Sequence, residues 1–188
     1  ALRENNKEQI SVWTKFLIES SIEINILRER IVKEVLEDLE ENILKKLEDK
    51  RWVETLSTLE ISFFSGWKGD RLKEQLREEY EEDLIKGFTK SGAHKFDLEI
   101  KVLGEKSGNI LSRGEQKLLI LLVFLSFGEF FAKTKNKNLI YLIDDLASEL
   151  DQKNLNLALQ FLDITKGQKI ITSVKKIENK SIKQLIDL

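Results

Sequence analysis

The segment 111–116, with the sequence LSRGEQ, combines residue types that suit an anion. Ser112 and Glu115 stand three positions apart, which is the spacing of a capping box that begins a helix and needs no further function. Gly114 in a first helical turn lowers helix stability relative to alanine but allows another group close to the backbone. The N–H groups of a helix N-terminus, the Ser112 hydroxyl and the Arg113 guanidinium would together bind a phosphate.

Two adjacent acids, Asp144 and Asp145, follow the apolar run 139–143. Parallel α/β sheets bind their ligands at the carboxyl edge of such strands. Paired carboxylates are expensive to bury there unless a cation or hydrogen bonds compensate. In a nucleotide site Asp144 would hold Mg²⁺, and Asp145 would orient or deprotonate an attacking water. The alternative is that both acids only begin a turn and cap the next helix.

A third segment, 147–151 with the sequence ASELD, comes almost directly after these acids. Asp151 is a suitable N-cap for the helix predicted next, and this role alone would explain it. The three segments occur in a fixed order, with one predicted helix between the first and the second. Their combination is therefore far more specific than any one of them.

Helical periodicity dominates the first part of the chain. Over residues 4–49 apolar positions recur three or four residues apart, which predicts one long helix or two helices with a break near Ser20-Ser21. An ordinary amphipathic helix and a coiled-coil arm both fit this pattern. The row of apolar positions is short and irregular, which favours the ordinary helix. Three elements follow: a strand over 59–63, a turn over 66–69 and a charged helix over 70–85 that ends at Gly87.

The rest of the chain alternates between strands and helices, which predicts an α/β fold. A strand, a helix and a strand in succession form a βαβ unit, so its strands should be parallel with a right-handed crossover. The elements are a half-buried alternating strand over 96–102, a loop with Gly104 and Gly108, a buried helix over 113–133, a central parallel strand over 139–143, a helix over 152–166 ended by Gly167, a strand over 169–174 and a helix over 182–188.

Composition indicates a soluble protein that can bury a sizeable core. Of the 188 residues, 41% are hydrophobic and 34% are charged, and no apolar run reaches the roughly 18–20 residues that cross a bilayer. The chain has no cysteine, which excludes disulfides and thiolate metal sites and suits a cytosolic location. The formal net charge of −2 argues against a strongly basic nucleic-acid footprint, although lysines cluster at 133–137 and 175–183.

Proline, cysteine and methionine are all absent, whereas average usage places proline at about 5% of positions. The sequence also begins at Ala1. We therefore expect a fragment, or an edited or generated sequence, rather than an intact gene product.

The three chemical segments, in this order, resemble the ABC-type ATPase heads of the RecF family. Segment 111–117 resembles the signature motif, Asp144 and Asp145 resemble the Walker B pair, and segment 148–151 resembles the D-loop. The wording ASELD after YLIDD is closer to RecF than to other ABC-type heads.

The segment 92–97, GAHKFD, resembles a further RecF-family segment. Ala93 stands where that segment ordinarily has proline, and for His94, the only histidine of the chain, a structural role is favoured over a functional one. The resemblance covers essentially the whole chain. It implies an α/β fold in which residues 59–188 form part of an ABC-type ATPase head, the signature and Walker B lobe, and residues 1–58 form a helical arm segment.

The resemblance also implies cofactors, partners and a role in recombinational repair and replication-fork maintenance. ATP and Mg²⁺ would bind between the subunits of an ATP-dependent homodimer. The full protein would bind DNA that has a gap or a single-strand/duplex junction, and its protein partners would be RecR and RecO. It would act in the cytoplasm and would not bind a membrane. The implied site residues are Ser112, Arg113, Gly114 and Glu115 toward ATP across the dimer, Asp144 at the metal, Asp145 as the catalytic residue, and Ser148 and Asp151 in the D-loop.

Two departures from the ABC pattern bear on activity. No Gly-x-x-x-x-Gly-Lys-Ser/Thr phosphate loop occurs in the sequence, and this loop normally cradles the nucleotide. Many ABC-type ATPases have the longer glutamate at the position of Asp145, whereas RecF has aspartate there. We therefore expect an ATPase only together with a P-loop half, and no hydrolysis by the chain alone. The alternatives are a non-enzymatic interaction module and an inactive scaffold with the same fold.

Overall fold

The structure, a computed structural model, describes residues 1–174 and Ile177. It contains two compact units. Unit 1 comprises residues 1–33 and 60–100, and unit 2 comprises residues 34–59 and the described residues from 101 onward. Each unit draws on both sides of the boundary expected near residue 58. The division into an arm and a head as functional domains stays a prediction.

Helix α1, Lys7–Asp38, is one continuous helix of 32 residues, so the alternative of a break near Ser20-Ser21 is wrong. Ser21 is buried, and its hydroxyl accepts a hydrogen bond from the Ala93 N–H at 3.2 Å. The polar residue on the buried face is therefore satisfied, and the helix has no reason to break there. A π-helical turn at Leu39–Ile43, a 3₁₀ turn at Leu44–Lys46 and helix α2, Lys50–Ser57, follow.

Unit 1 contains β1, Glu60–Phe64, and most of β2, Asp97–Val102, which are neighbours in one sheet. The charged helix predicted over 70–85 is two helices, α3, Leu72–Glu78, and α4, Tyr80–Lys86. They are separated at Glu79, whose ψ of −2° departs from the usual helical value while its backbone stays right-handed. The small core of this unit consists of Trp67, Leu72, Leu76 and Ala93, with Leu17 and Ile18 packed against it.

Strand β2 is present as predicted, but its expected alternation of buried and exposed residues is wrong. Burial instead increases along the strand, from exposed Asp97 to fully buried Val102. Its last residues pair antiparallel with β3, Glu105–Lys106. The burial of a β2 side chain therefore depends on its position along the strand rather than on the face of the sheet to which it belongs.

Unit 2 contains the predicted βαβ unit. Strands β4, Ile140–Ile143, and β5, Gln168–Ile171, are parallel, in register from Ile140 opposite Gln168 to Ile143 opposite Ile171. Helix α7, Gln152–Ile164, connects them, and the hand of the crossover stays a prediction. The parallel pair confirms the α/β class.

Helix α6, Arg113–Lys135, is the central helix of unit 2 and follows the short helix α5, Ser107–Ile110. It packs against α7. Gly128 lies so close to β4 that an added Cβ would come within 2.5 Å of the Tyr141 hydroxyl oxygen, so only glycine fits there without movement. The fully or nearly fully buried side chains of the two helices include Leu118, Leu119, Leu122, Leu125, Leu157, Ala158, Phe161 and Leu162.

Two expectations about burial in unit 2 are wrong. Strand β4 was expected to be covered on both faces, yet Ile140 is 62% and Leu142 is 75% exposed. Helix α6 was expected to be buried all round, yet Ile120 and Phe124 are exposed. Hydropathy indicates only that a segment can be buried. The described residues cover one face of β4 and one face of α6.

Several predicted features lie outside the described residues. They are the helix predicted over 182–188 and all four lysines of the cluster at 175–183. Within residues 1–174, no helix is both long and apolar enough to cross a membrane.

The core of unit 2 yields a stability prediction. Phe161 is completely buried, and its ring meets the Trp52 ring edge-on at 6.0 Å between centroids. Phe161→Ala should lower the free energy of unfolding by about 3–5 kcal/mol, because it removes this packing and leaves a cavity. Phe124→Ala, on the exposed face of α6, is the control and should change it by less than about 0.5 kcal/mol.

Urea unfolding followed by circular dichroism measures both free energies. Equal midpoints for the two variants would show that Phe161 is not in the core.

Candidate functional site

The capping box predicted at the start of α6 is present. The Ser112 hydroxyl accepts a hydrogen bond from the Glu115 N–H at 3.3 Å, and the Glu115 carboxylate accepts one from the Ser112 N–H at 2.8 Å. Both Ser112 and Arg113 are exposed. The N-terminus of this 23-residue helix therefore faces solvent with its polar residues in place.

Gly114 is buried, and its close neighbours come from the chain itself. An added Cβ would lie 3.2 Å from the Glu149 carbonyl oxygen and 3.0 Å from the Asn154 side-chain amide. Gly114 was expected to allow another group close to the helix backbone, and the group that lies there is the loop before α7. The structure brings the first and the third chemical segments into direct contact.

Glu115 is held by a residue that the sequence did not single out. Arg51, from α2, approaches the Glu115 carboxylate to 2.6 Å. Burial raises the pKa of Glu115, but hydrogen bonds from Ser112 and the positive charge of Arg51 outweigh burial, so the pKa is lowered overall. No local pattern could have found this pair, because its partners come from distant parts of the sequence.

Asp144 and Asp145 directly follow β4, where the sequence placed them. Asp144 is exposed and Asp145 is half-buried, so the large burial cost expected for paired carboxylates does not arise. Thr172, just after β5, joins the two acids. Its hydroxyl donates to Asp144 Oδ1 at 2.5 Å and accepts from the Asp145 N–H at 2.8 Å.

Thr172 was not predicted as a site residue because it falls within the strand predicted over 169–174. A signal was available, since parallel neighbouring strands end at the same edge of a sheet. A hydroxyl residue at the end of the next strand was therefore a candidate for contact with Asp144.

Lys117 connects α6 to the turn after β4. Its ammonium group donates to the Asp145 carbonyl oxygen at 3.0 Å and to the Ser148 carbonyl oxygen at 2.9 Å. Ser148 closes the turn with a backbone N–H bond to the same Asp145 oxygen at 3.1 Å. Lys117 belongs to the signature-like segment, but its position in the sequence did not predict this role.

Asp151 caps α7 as predicted, with its carboxylate accepting from the Asn154 N–H at 2.7 Å. His94 lies in unit 1, where its ring bonds the Thr89 carbonyl oxygen at 3.0 Å, which fits the favoured structural role. The predicted site residues Ser112 to Glu115, Asp144, Asp145, Ser148 and Asp151 all belong to unit 2.

The carboxylates suit magnesium only as part of a larger set of ligands. Among residues 1–174, no three Asp, Glu or His side chains come together as a metal site. Mg²⁺ in nucleotide sites is bound through one or two carboxylates together with phosphate oxygens and water. One exposed carboxylate, Asp144, fits that requirement.

Comparison with proteins of known identity finds RecF relatives. The chain is 32% identical over 190 residues to the DNA replication and repair protein RecF of Proteus mirabilis, covering 100% of this chain and 50% of the relative. It is 35% identical over 173 residues to RecF of Shewanella sediminis, covering 92% of this chain and 46% of the relative. The chain is therefore similar to RecF over its whole length. It spans about half the length of the curated relatives it matches, consistent with the C-terminal half.

Solved structures support the fold. A structure of the recombination mediator protein RecF with ATP, from the RecFOR pathway, matches with a TM-score of 0.63 at 21% identity. The match covers 93% of this chain and 47% of that one. A second RecF structure of the same pathway matches with a TM-score of 0.61 over 93% and 48% of the two chains. No protein-family model matches the chain.

The environment of Glu115 predicts a pH dependence. Because its pKa is lowered from 4.5 in the folded chain, Glu115 adds stability above about pH 4.5, and this stability is lost as the pH falls through the lowered pKa. Glu115→Gln should therefore lower the free energy of unfolding at pH 7 by about 1 kcal/mol, a modest value because Arg51 is largely exposed.

The difference between Glu115→Gln and the parent should disappear in acid. Denaturant unfolding at pH 7 and at pH values below 4 tests this. Glu105→Gln, an exposed residue of β3, is the control and should change stability by less than about 0.5 kcal/mol at every pH. A destabilisation by Glu115→Gln that is independent of pH would contradict the electrostatic explanation.

Proposed function

We propose that the chain supplies the signature loop, the Walker B pair and the D-loop of a RecF-like DNA-binding ATPase of recombinational repair and replication-fork maintenance. The observation that carries this proposal is the packing of the start of α6 on the loop that follows the two acids. Gly114 leaves room for that loop, since an added Cβ would lie 3.2 Å from the Glu149 carbonyl oxygen, and Lys117 donates two hydrogen bonds to the loop. The match to RecF over the whole chain gives the proposal its family.

The start of α6 is the proposed ATP contact. Ser112 and Arg113 are exposed at the positive end of a long helix, where phosphates bind well. In an ATP-sandwich homodimer these residues, with Gly114 and Glu115, would face ATP that is held by the other subunit. The phosphate loop of the site must come from another segment, since none occurs in this sequence.

The carboxyl edge of β4 is the proposed metal and catalytic region. Asp144 would bind Mg²⁺, with Thr172 orienting its carboxylate through the hydrogen bond already described. Mg²⁺ supplies positive charge that stabilises the phosphates during transfer. Asp145 would orient or deprotonate the attacking water, and Ser148 and Asp151 would shape the D-loop.

DNA, RecO and RecR are the proposed partners of the assembled protein, in the cytoplasm. The DNA would carry a gap or a single-strand/duplex junction. A net charge of −2 gives the chain alone little counterion release to drive DNA binding. Lys133, in one lysine cluster, is already paired with Asp38 at 2.9 Å. Binding would therefore need two assembled heads and basic residues from the other half.

A second candidate is a non-enzymatic interaction module, or an inactive scaffold, with the same fold. The favouring observation is that Ser112 and Gly114 both have contacts within the chain, in the capping box and against Glu149. Their residue types are thus explained without a ligand. ATP-dependent behaviour of the assembled protein separates the two candidates.

The proposal predicts that the chain by itself hydrolyses ATP no faster than buffer. The physical reason is the missing phosphate loop, whose backbone N–H groups and lysine hold the nucleotide. Phosphate release at saturating ATP and Mg²⁺ measures this, with Asp145→Asn as the matched control. Turnover that is clearly above buffer and is lost in Asp145→Asn would show that the chain contains a complete site.

The signature loop can be tested in an assembly with the P-loop half of a RecF relative. Ser112→Arg should abolish ATP-driven dimerisation, because a bulky cation would occupy the phosphate position. The fold should survive, since loss of an N-cap reduces stability by only about 0.5–2 kcal/mol. Ser112→Thr keeps the cap and should dimerise like the parent.

Light scattering with and without ATP measures the dimer, and circular dichroism checks the fold. Normal ATP-driven dimerisation of Ser112→Arg would mean that the loop is only a helix cap. Dimerisation that does not depend on ATP in the parent assembly would favour the interaction module.

A further inference from the structure

The turn after β4 is unusual because its backbone is left-handed at two residues that are not glycine. Asp145 has φ at 44° and Glu149 has φ at 62°. Such a conformation is disfavoured for residues with a Cβ, and it persists only where surrounding contacts impose it. The contacts that impose it are therefore the ones that fix where the Asp145 side chain lies.

Two side chains from different elements hold the backbone of Asp145. On one side, its N–H donates to the Thr172 hydroxyl at 2.8 Å. On the other side, its carbonyl oxygen accepts from the Lys117 ammonium at 3.0 Å. The same ammonium binds the Ser148 carbonyl oxygen at 2.9 Å, so it bridges Asp145 and Ser148 within the turn.

Lys117 is also placed to link this turn to the signature-like segment. It lies one helical turn after Gly114, on the same helix, where an added Cβ would come within 3.2 Å of the Glu149 carbonyl oxygen. Hydrogen bonds from a charged donor are stronger than neutral ones. Helix α6 therefore holds the turn at two neighbouring points, one by close packing and one by a charged group.

We propose that Lys117 is a positioning residue that holds the left-handed turn 145–149 and thereby orients the Asp145 carboxylate. A displacement of the start of α6 is then transmitted directly to Asp145 through a single side chain. The consequence for ATP turnover rests on the proposed function, whereas the consequence for the turn does not.

The first test measures hydrogen exchange of backbone amides in the chain itself. The reporter is the Ser148 N–H, bonded to the Asp145 carbonyl oxygen, and the reference is the Gln168 N–H, bonded to the Leu139 carbonyl oxygen. Lys117→Met removes the charged donor, and the Ser148 amide should then exchange roughly tenfold faster while the Gln168 amide is unchanged. Lys117→Gln is a second variant with the same expectation.

Two further variants make the test specific. Lys117→Arg keeps a charged donor and should restore most of the protection of Ser148. Lys135→Met, at the exposed end of the same helix, should leave both amides unchanged. Unchanged exchange at Ser148 in Lys117→Met and Lys117→Gln, or equal acceleration at Ser148 and Gln168, would overturn the proposal.

The second test uses the assembly with a P-loop half. Lys117→Met should lower kcat for ATP by roughly tenfold or more while KM changes less than about twofold, because a misplaced Asp145 affects the reaction and not ATP binding. Lys117→Arg should recover most of kcat. A parent assembly without ATPase activity would count against the proposed function, while the exchange data still decide whether Lys117 holds the turn. Parent-like kcat in Lys117→Met would overturn the positioning role.

Discussion

The candidate site depends on a few hydrogen bonds that stabilise one strained turn. The backbone of Asp145 is bound on its N–H by Thr172 and on its carbonyl by Lys117. These two side chains come from the residue just after β5 and from α6, so three parts of the chain converge on a single residue. Because a left-handed aspartate is unfavourable by itself, the turn exists only while β5 and α6 keep their places. The positions of the acidic side chains therefore follow from the packing of unit 2.

That packing is fixed by close contacts at two glycines of α6. A Cβ added at Gly114 would lie 3.2 Å from the Glu149 carbonyl oxygen, and one added at Gly128 would lie 2.5 Å from the Tyr141 hydroxyl oxygen on β4. The two glycines lie about 21 Å apart along the helix, from a rise of about 1.5 Å per residue. Contacts this far apart resist both sliding and tilting of α6 against the strand. The leucines buried between them supply the apolar driving force, and the glycines set the distance.

The features that the sequence predicted are those that depend on neighbours along the chain. The capping box at Ser112, the cap at Asp151 and the parallel pair of strands follow from spacings of a few residues or from hydropathy. The contacts of Lys117 and Thr172 join residues 27 to 31 positions apart, and no spacing rule reports them. Exposure of Ile140 was missed for another reason, because burial depends on which layers are present and not on the strand alone.

The capping box at Ser112 does not argue against an anion site at the same helix end. A helix N-terminus has four N–H groups without an intrahelical partner. The box serves the N–H of Glu115 and the N–H of Ser112 itself, and it does not use those of Arg113 and Gly114. The same contacts that define the helix start therefore hold its remaining donors in a fixed direction. Donors fixed before a ligand arrives need no reorganisation on binding, which is the property that makes such sites effective.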